Sequence, residues 1–181
     1  MAIVTLAAVK AQLNIDDSDS THDVELQLFA DAVTIPIERE LGRVVEVRTF
    51  SDEIRLTGGR TFQLSRTPVV SMTSLTSLDG TRTWDVSPSA IYVDKEAGRV
   101  TLLTGPAVTG SALALYQAGE IETEANTRLA ALITIQHLWE TQRGAMGVQL
   151  GGEGETWVPG KGFALPRRAI ELLDSNLPGV A

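Results

Sequence analysis

The sequence contains no cysteine. That excludes disulfides, thiolate nucleophiles and sulfur-ligated metals, and it suits production in the cytosol. Long apolar runs are missing too, since nothing approaches the roughly 20 residues of a membrane span. No basic stretch precedes an apolar one at the N-terminus, and Lys10 interrupts the one candidate, so no secretory signal is expected. Lys and Arg are never clustered, which disfavours a protein that grips nucleic acid by neutralising phosphates.

Catalytic and ligand motifs are equally scarce. The two histidines, His22 and His137, belong to no zinc or Ser-His-Asp pattern, and His137 is expected as a partly buried helix residue. Glu38, Glu40, Glu122 and Glu124 could pair as general acid and base, but solvated helix faces explain them better. The run 154–162 has glycines near a Lys, as a phosphate loop does. It has the wrong spacing, Gly162 where Ser or Thr must hold a metal, and no preceding strand. The acidic run 16–23 shares only composition with a calcium loop: counted from Asp17, His22 replaces the glycine and Leu28 replaces the final Glu. No metal and no cofactor is expected.

What the chain has is length, acidity and clear punctuation. Its 181 residues suit one domain, or one domain with a sizeable insertion, and 43% of them are apolar. At this length about 70% of the unfolded surface can be buried, so the core needs no staples. The net charge of −8 is unevenly spread. Residues 1–42 hold 8 acidic and 2 basic side chains, 43–119 hold 7 and 8, and 120–181 hold 8 and 5.

Leu6, Val9 and Leu13 fall at helical spacing behind Thr5, a capping residue, and predict a helix over 5–13. The stretch 14–21 is almost wholly made of cap and turn formers. A longer helix is expected over 22–41, roughly 30 Å in length. Asp23 and Glu25 lie in its first turn, where the helix dipole favours anions, and Gly42 is its stop. Val24, Leu28, Ala32 and Ile35 mark its expected buried stripe, continued by Leu41. Pro36 lacks an N–H for the Ala32 carbonyl, so a kink, or a meeting of two helices, is expected there.

From 43 to 118 β-branched residues become dense. Strands are expected over 45–56, 61–64, 69–77, 90–93, 100–103 and 112–117, with turns at Gly58-Gly59, Asp79-Gly80 and Ala97-Gly98. Helical periodicity returns at Glu124, with Ala125, Leu129, Leu132, Ile133, Ile135, Leu138 and Trp139 as its apolar face, and stops near Arg143-Gly144. Glycines crowd the expected loop 144–163. A last short helix begins at Pro166 and carries Ile170, Leu173 and Leu177. The fold class is α+β: mainly a helical bundle of N- and C-terminal helices with a small antiparallel sheet or sandwich inserted. The expected parts are 1–43, 44–119 and 120–181, the last packing on the first.

Three groups stand out as candidate contact sites. Trp157 lies among glycines, either as a partner anchor or folded back on its own core. The final helix offers Pro166, Arg167, Arg168, Ile170, Leu173 and Leu177 to its own bundle or to a partner. Asp16, Asp17 and Asp19 form an acidic turn.

The order of these segments resembles the head–tail connector (adaptor) family of tailed bacteriophages. Leu6-x-x-Val9-Lys10-x-x-Leu13-x-Ile15-Asp16 is similar to the family's opening helix and its ending. Leu28 to Ala32, Ile37-Glu38 and Leu41-Gly42-Arg43 are similar to its second helix. Arg66-Thr67-Pro68-Val69-Val70-Ser71-Met72 resembles the strand after a proline in longer members. Asn126 to Arg143, with His137-Leu138-Trp139-Glu140-x-x-Arg143, resembles the penultimate helix, and Leu165-Pro166 with Ala169, Leu172 and Leu173 the last one. The chain departs from the family at Glu122-Thr123-Glu124, where members often carry proline, and at Pro36.

The resemblance implies a non-enzymatic virion protein at the head–tail junction, made in the host cytoplasm. It implies a closed homo-oligomeric ring of about twelve subunits under the portal, built on heterologous contacts. It also implies contact with the portal protein through 166–177, contact with head-closure or tail proteins, and a channel whose acidic wall lets DNA pass without sticking. Asp16, Asp17 and Asp19 would then face a neighbour or the channel. No membrane is involved. The rival readings are a head-closure or tail-completion protein at the same junction, a ligand-binding module built on the β region, and a carboxylate hydrolase.

Overall fold

The computed structural model of the chain describes residues 3–144 and 165–173. The protein is α+β, and it divides into two compact units: Met1–Leu41 with Thr123–Ala181, and Gly42–Glu122. No helix among the described residues is long and apolar enough to cross a membrane.

The first unit holds α1 (Leu6–Leu13), α2 (Asp23–Leu41), α3 (Ala125–Gly144) and α4 (Arg167–Leu173), with α3 packed on the other three. The Thr5 hydroxyl caps α1 by accepting the Ala8 N–H at 3.2 Å. α1 stops in a Schellman motif. Asn14 takes the left-handed conformation at φ 55°, its N–H bonds the Ala11 carbonyl, and the Ile15 N–H bonds the Lys10 carbonyl at 3.0 Å. The sequence Leu13-Asn14-Ile15-Asp16 is therefore a helix stop with a physical cause, since Asn tolerates left-handed backbone better than other non-glycine residues. At the far end of α2, Gly42 takes φ 66°, as a stop glycine should.

α2 runs unbroken through Pro36, so two helices do not meet there. Its facing differs from the expected one. The buried residues are Leu26, Phe29, Ala30, Val33, Thr34 and Ile37, whereas Val24, Leu28, Ala32 and Ile35 are exposed. Two apolar stripes of equal helical spacing run along this helix, and periodicity alone does not choose between them. α3 likewise buries its small residues, Thr127, Ala130, Ala131 and Thr134, together with Ile135. Small side chains let a neighbouring helix come close. The larger Leu132, Ile133, Leu138 and Trp139 are half-buried, Ala125 and Leu129 are exposed, and His137 is exposed instead of partly buried.

The second unit contains a four-stranded antiparallel sheet in the order β1 (Arg48–Gly59), β7 (Val108–Ala118), β3 (Val69–Ser77), β4 (Thr83–Trp84). A three-stranded antiparallel sheet follows the order β2 (Thr61–Gln63), β6 (Arg99–Leu102), β5 (Ile91–Asp94). β1 and β7 pair through most of their length, from Arg48 opposite Ala118 to Thr57 opposite Thr109. Gly58-Gly59 is not a free turn but the end of β1, where the register slips. The core joins Ile54, Leu75, Val100, Ala114 and Tyr116 to Trp84, whose indole N–H donates to the Pro106 carbonyl at 2.9 Å. Gly119 is required by close approach: at φ 135°, a Cβ there would lie 2.5 Å from the Glu46 carbonyl.

The loop expected over 144–163, with Trp157, and the end of the final helix at Leu177 lie outside the described residues, apart from Gly144 at the close of α3.

Candidate functional site

The acidic turn between α1 and α2 is built from side chains that bond their own backbone. Asp16 Oδ1 accepts the Ser18 hydroxyl at 2.6 Å and the Ser18 N–H at 2.9 Å. Asp19 Oδ1 repeats the arrangement with the Thr21 hydroxyl at 2.6 Å and its N–H at 3.0 Å. These donors, the hydroxyls first, hold both carboxyls below the usual aspartate value. One oxygen of each is thus committed to the turn while both residues remain exposed. Among the described residues no group of three His, Cys, Asp or Glu is placed to hold a metal.

Lys10 anchors the turn from below. It is 4% exposed, and its ammonium reaches Asp23 Oδ1 at 2.6 Å and the Asp17 carbonyl at 3.1 Å. The residue that breaks the apolar pattern of α1 is thereby the one that joins α1, the turn and the first turn of α2. A buried lysine of this kind is stable only when paired. Sequence alone points to an interruption at Lys10 but not to its partner, which lies 13 residues on. His22 and Trp139 meet edge to face with ring centroids 5.2 Å apart, which ties the start of α2 to α3. Gln12 Nε2 donates to Gln136 Oε1 at 2.8 Å and fixes α1 on the same helix.

The last helix is amphipathic. Ala169 and Leu173 are buried in its own bundle, against α3 and α2, while Arg167 and Arg168 are exposed and Pro166 and Ile170 are half-buried. Arg167 Nε lies 3.2 Å from Glu171 one turn on. Its side chain is 93% exposed, so the pair adds little to stability.

The apolar stripe of α2 expected to be buried is exposed instead. Val24, Leu28 and Ile35 are 88%, 65% and 50% exposed. Beside them lies an open groove of about 360 Å³ between α2 and α3, lined by Leu28, Phe29, Ala32, Val33, Pro36 and Leu138. The described residues that line it have apolar side chains, and none of them could act as acid, base or nucleophile.

Known proteins give this geometry a context. The family model described as head completion protein (HCP) matches residues 2–175. No curated protein sequence matches the chain. Among solved structures, a chain in the neck of an empty gene transfer agent (GTA) particle computed with C6 symmetry aligns over 95% of this chain and 88% of its own length. Its TM-score is 0.64 at 14% identity. A chain in the virion of a native GTA particle aligns over 93% and 88%, with a TM-score of 0.61 at 17% identity. A chain in the neck of a native GTA particle computed with C12 symmetry aligns over 96% and 93%, with a TM-score of 0.54 at 15% identity. At these identities the likeness is one of fold.

Proposed function

The chain belongs to the head completion protein family, and from that premise we propose that it is a structural virion protein of the head–tail junction: a connector ring below the portal that forms part of the DNA channel. The family match over 2–175 carries this reading. It is supported by a fold shared with chains from particle necks computed with C6 and C12 symmetry. A ring contact must be heterologous, with two different patches of the same chain meeting, because that is how rotation closes a ring.

In this reading the chain works by packing and carries out no catalysis. The ring holds about twelve copies, one for each portal subunit. α4 offers the portal its exposed Arg167 and Arg168, with Pro166 and Ile170 beside them, while Leu173 stays buried in the helical unit. Asp16, Asp17 and Asp19, all exposed, face the channel or the adjoining copy. On the channel side they would repel the phosphate backbone and keep DNA moving. A head-closure or tail-completion role at the same junction is the second reading, and the family's description accommodates it.

Electron microscopy of the protein alone and mixed with its cognate portal tests both readings. A ring seated against the portal is the expected result. A ring found only further down the neck supports the second reading. Protein that forms no ring alone, with portal or in virions sinks both.

A further inference from the structure

We propose that the free protein pairs with a second copy of itself through β1, strand against strand and antiparallel. β1 is the last strand of its sheet and is bonded on one side only, to β7. β7 shows which of its backbone groups point away. The Leu78 N–H bonds the Ser111 carbonyl at 3.0 Å, and the Gly119 N–H bonds the Pro68 carbonyl at 2.8 Å. Odd-numbered residues on this stretch therefore turn their backbone groups toward β3. Successive residues of a strand bond to opposite sides. Ala112, Ala114 and Tyr116 thus bond β1 through their register partners Ile54, Asp52 and Phe50. The N–H and C=O groups of Thr49, Ser51, Glu53, Arg55 and Thr57 are left pointing outward, and all five residues are exposed. Among the described residues no strand pairs with that side.

Such an edge is normally blunted by proline, lysine, a bulge or an inward charge. Residues 48–57 contain neither proline nor lysine, and the register with β7 slips only past Thr57. Asp52 faces the core side, and both of its oxygens are taken up by Tyr116 and Ser65. The outward charges choose the partner. Turned antiparallel about Ile54, two β1 strands set Glu53 opposite Arg55, Arg55 opposite Glu53, and Ser51 and Thr57 opposite one another. In the next register to either side, Glu53 meets Glu53 or Arg55 meets Arg55, and like charges directly opposite are unfavourable. The matched register ends where Thr49 would face Gly59, at the slip in β1. In the single chain Arg55 already lies 3.5 Å from its own Glu53 and 3.2 Å from the Ser111 hydroxyl, with its side chain 80% exposed. An exposed pair of this kind is weak. The second copy leaves it in place and closes four charges of alternating sign, while supplying the backbone partners that the edge lacks. The half-buried Phe50 and Leu56, on the core side of β1, gain cover from the added strand. A twofold contact closes on itself and cannot propagate around a ring. The pairing is thus a property of the free chain and stands apart from the ring reading.

Sedimentation velocity of the full chain, free of portal and run over a range of concentrations, tests the pairing. The parent is expected as a mixture of monomer and dimer. Glu53→Arg alone, or Arg55→Glu alone, should weaken dimerisation by about tenfold or more, since each places like charges opposite one another at both ends of the charge cluster. An equimolar mixture of these two variants should form heterodimers about as readily as the parent pairs with itself, and so should the double variant that exchanges the two charges. Ser51→Pro removes one outward N–H and no bond to β7, so it should lower the dimer fraction with little change in melting temperature. A parent that stays monomeric at every concentration overturns the proposal. So do single variants that dimerise like the parent, or a mixture of the two that fails to restore pairing. None of these outcomes bears on whether the chain forms a ring with its portal.

Discussion

The phenol of Tyr116, wholly buried on β7, donates to Asp52 Oδ2 on β1 at 2.8 Å and accepts the Arg66 N–H at 3.1 Å. The same carboxylate accepts the Ser65 N–H at 2.7 Å and the Ser65 hydroxyl at 2.8 Å. One carboxylate and one phenol thus hold β1, β7 and the loop after β2 together. Tyr116→Phe keeps the ring and removes the oxygen, leaving a backbone N–H and a carboxylate oxygen short of a partner. The expected cost is about 1–3 kcal/mol, read as a lower denaturant midpoint with an unchanged m-value.

The same phenol sets an alkaline limit. Burial, ahead of the hydrogen bonds, raises its ionisation above the ordinary value of 10.0. A folded-state value above the unfolded one gives a contribution that is complete below about pH 10. It is lost as pH rises through the folded value. Unfolding should therefore become easier above pH 10, and Tyr116→Phe should flatten that slope in denaturation curves taken between pH 9 and 11.5.

Acid acts on the turns. Asp79 is held down to about 2 by the Ser77 hydroxyl first and then by the N–H and hydroxyl of Thr81. Asp16 and Asp19 are lowered in the same direction. Their folded values lie below the unfolded ones, so the stability they give is present above about pH 4 and is lost as pH falls through the folded values, near 2 for Asp79. Urea midpoints measured from pH 5 to pH 2 should fall, and Asp79→Asn should lower the pH 7 midpoint while making the acid slope shallower.

Lys10→Met tests the buried ion pair. It leaves the Asp23 carboxylate without its ammonium and the Asp17 carbonyl without its donor. Breaking a fully buried pair costs about 3–5 kcal/mol, and the 31% exposure of Asp23 puts the expected loss nearer 2 kcal/mol. Amide exchange over residues 14–22 should quicken more than over the β-rich unit.

Gly119→Ala brings a methyl group against the Glu46 carbonyl at 2.5 Å with φ at 135°. Overpacking and backbone strain together should cost about 2–4 kcal/mol, seen as a drop in melting temperature. An alanine at Gly42, where a Cβ meets nothing within 4 Å, should cost less.

Much of this architecture is written locally. Thr5, Asn14 and Gly42 punctuate the first two helices, and both helices begin within a residue of the positions those signals imply. β3 occupies 69–77 as its alternation implies, because Pro68 and Asp79-Gly80 bracket it. β4 escapes detection since two residues carry no period, and its Trp84 is recognisable only by the core it fills. Lys10 is visible as an oddity, but the ion pair with Asp23 is tertiary. The facing of α2 is the instructive failure. Leu26, Phe29, Val33 and Ile37 fit the helical repeat as well as Val24, Leu28 and Ile35 do. Which set turns inward depends on α1, α3 and α4, and none of them leaves a mark on the sequence of α2. The exposed stripe thus hides among core residues by being equally apolar.

Chain order also has a consequence for how the molecule is made. The chain leaves the helical unit after Leu41 and returns at Thr123. While it emerges from the ribosome, α2 waits without α3, the helix it packs on most, until that helix has been synthesised. The Gly42–Glu122 unit has all of its strands by then and can fold first. Its closure draws the two ends of a long loop together, Arg43 onto Glu120 at 3.0 Å. That contact shortens the remaining search for α2 and α3 from a loop of some eighty residues to a few. The β-rich unit is then a folding clamp for the helices on either side of it, and damage to its core should appear first as slow, aggregation-prone folding of a bundle it does not belong to.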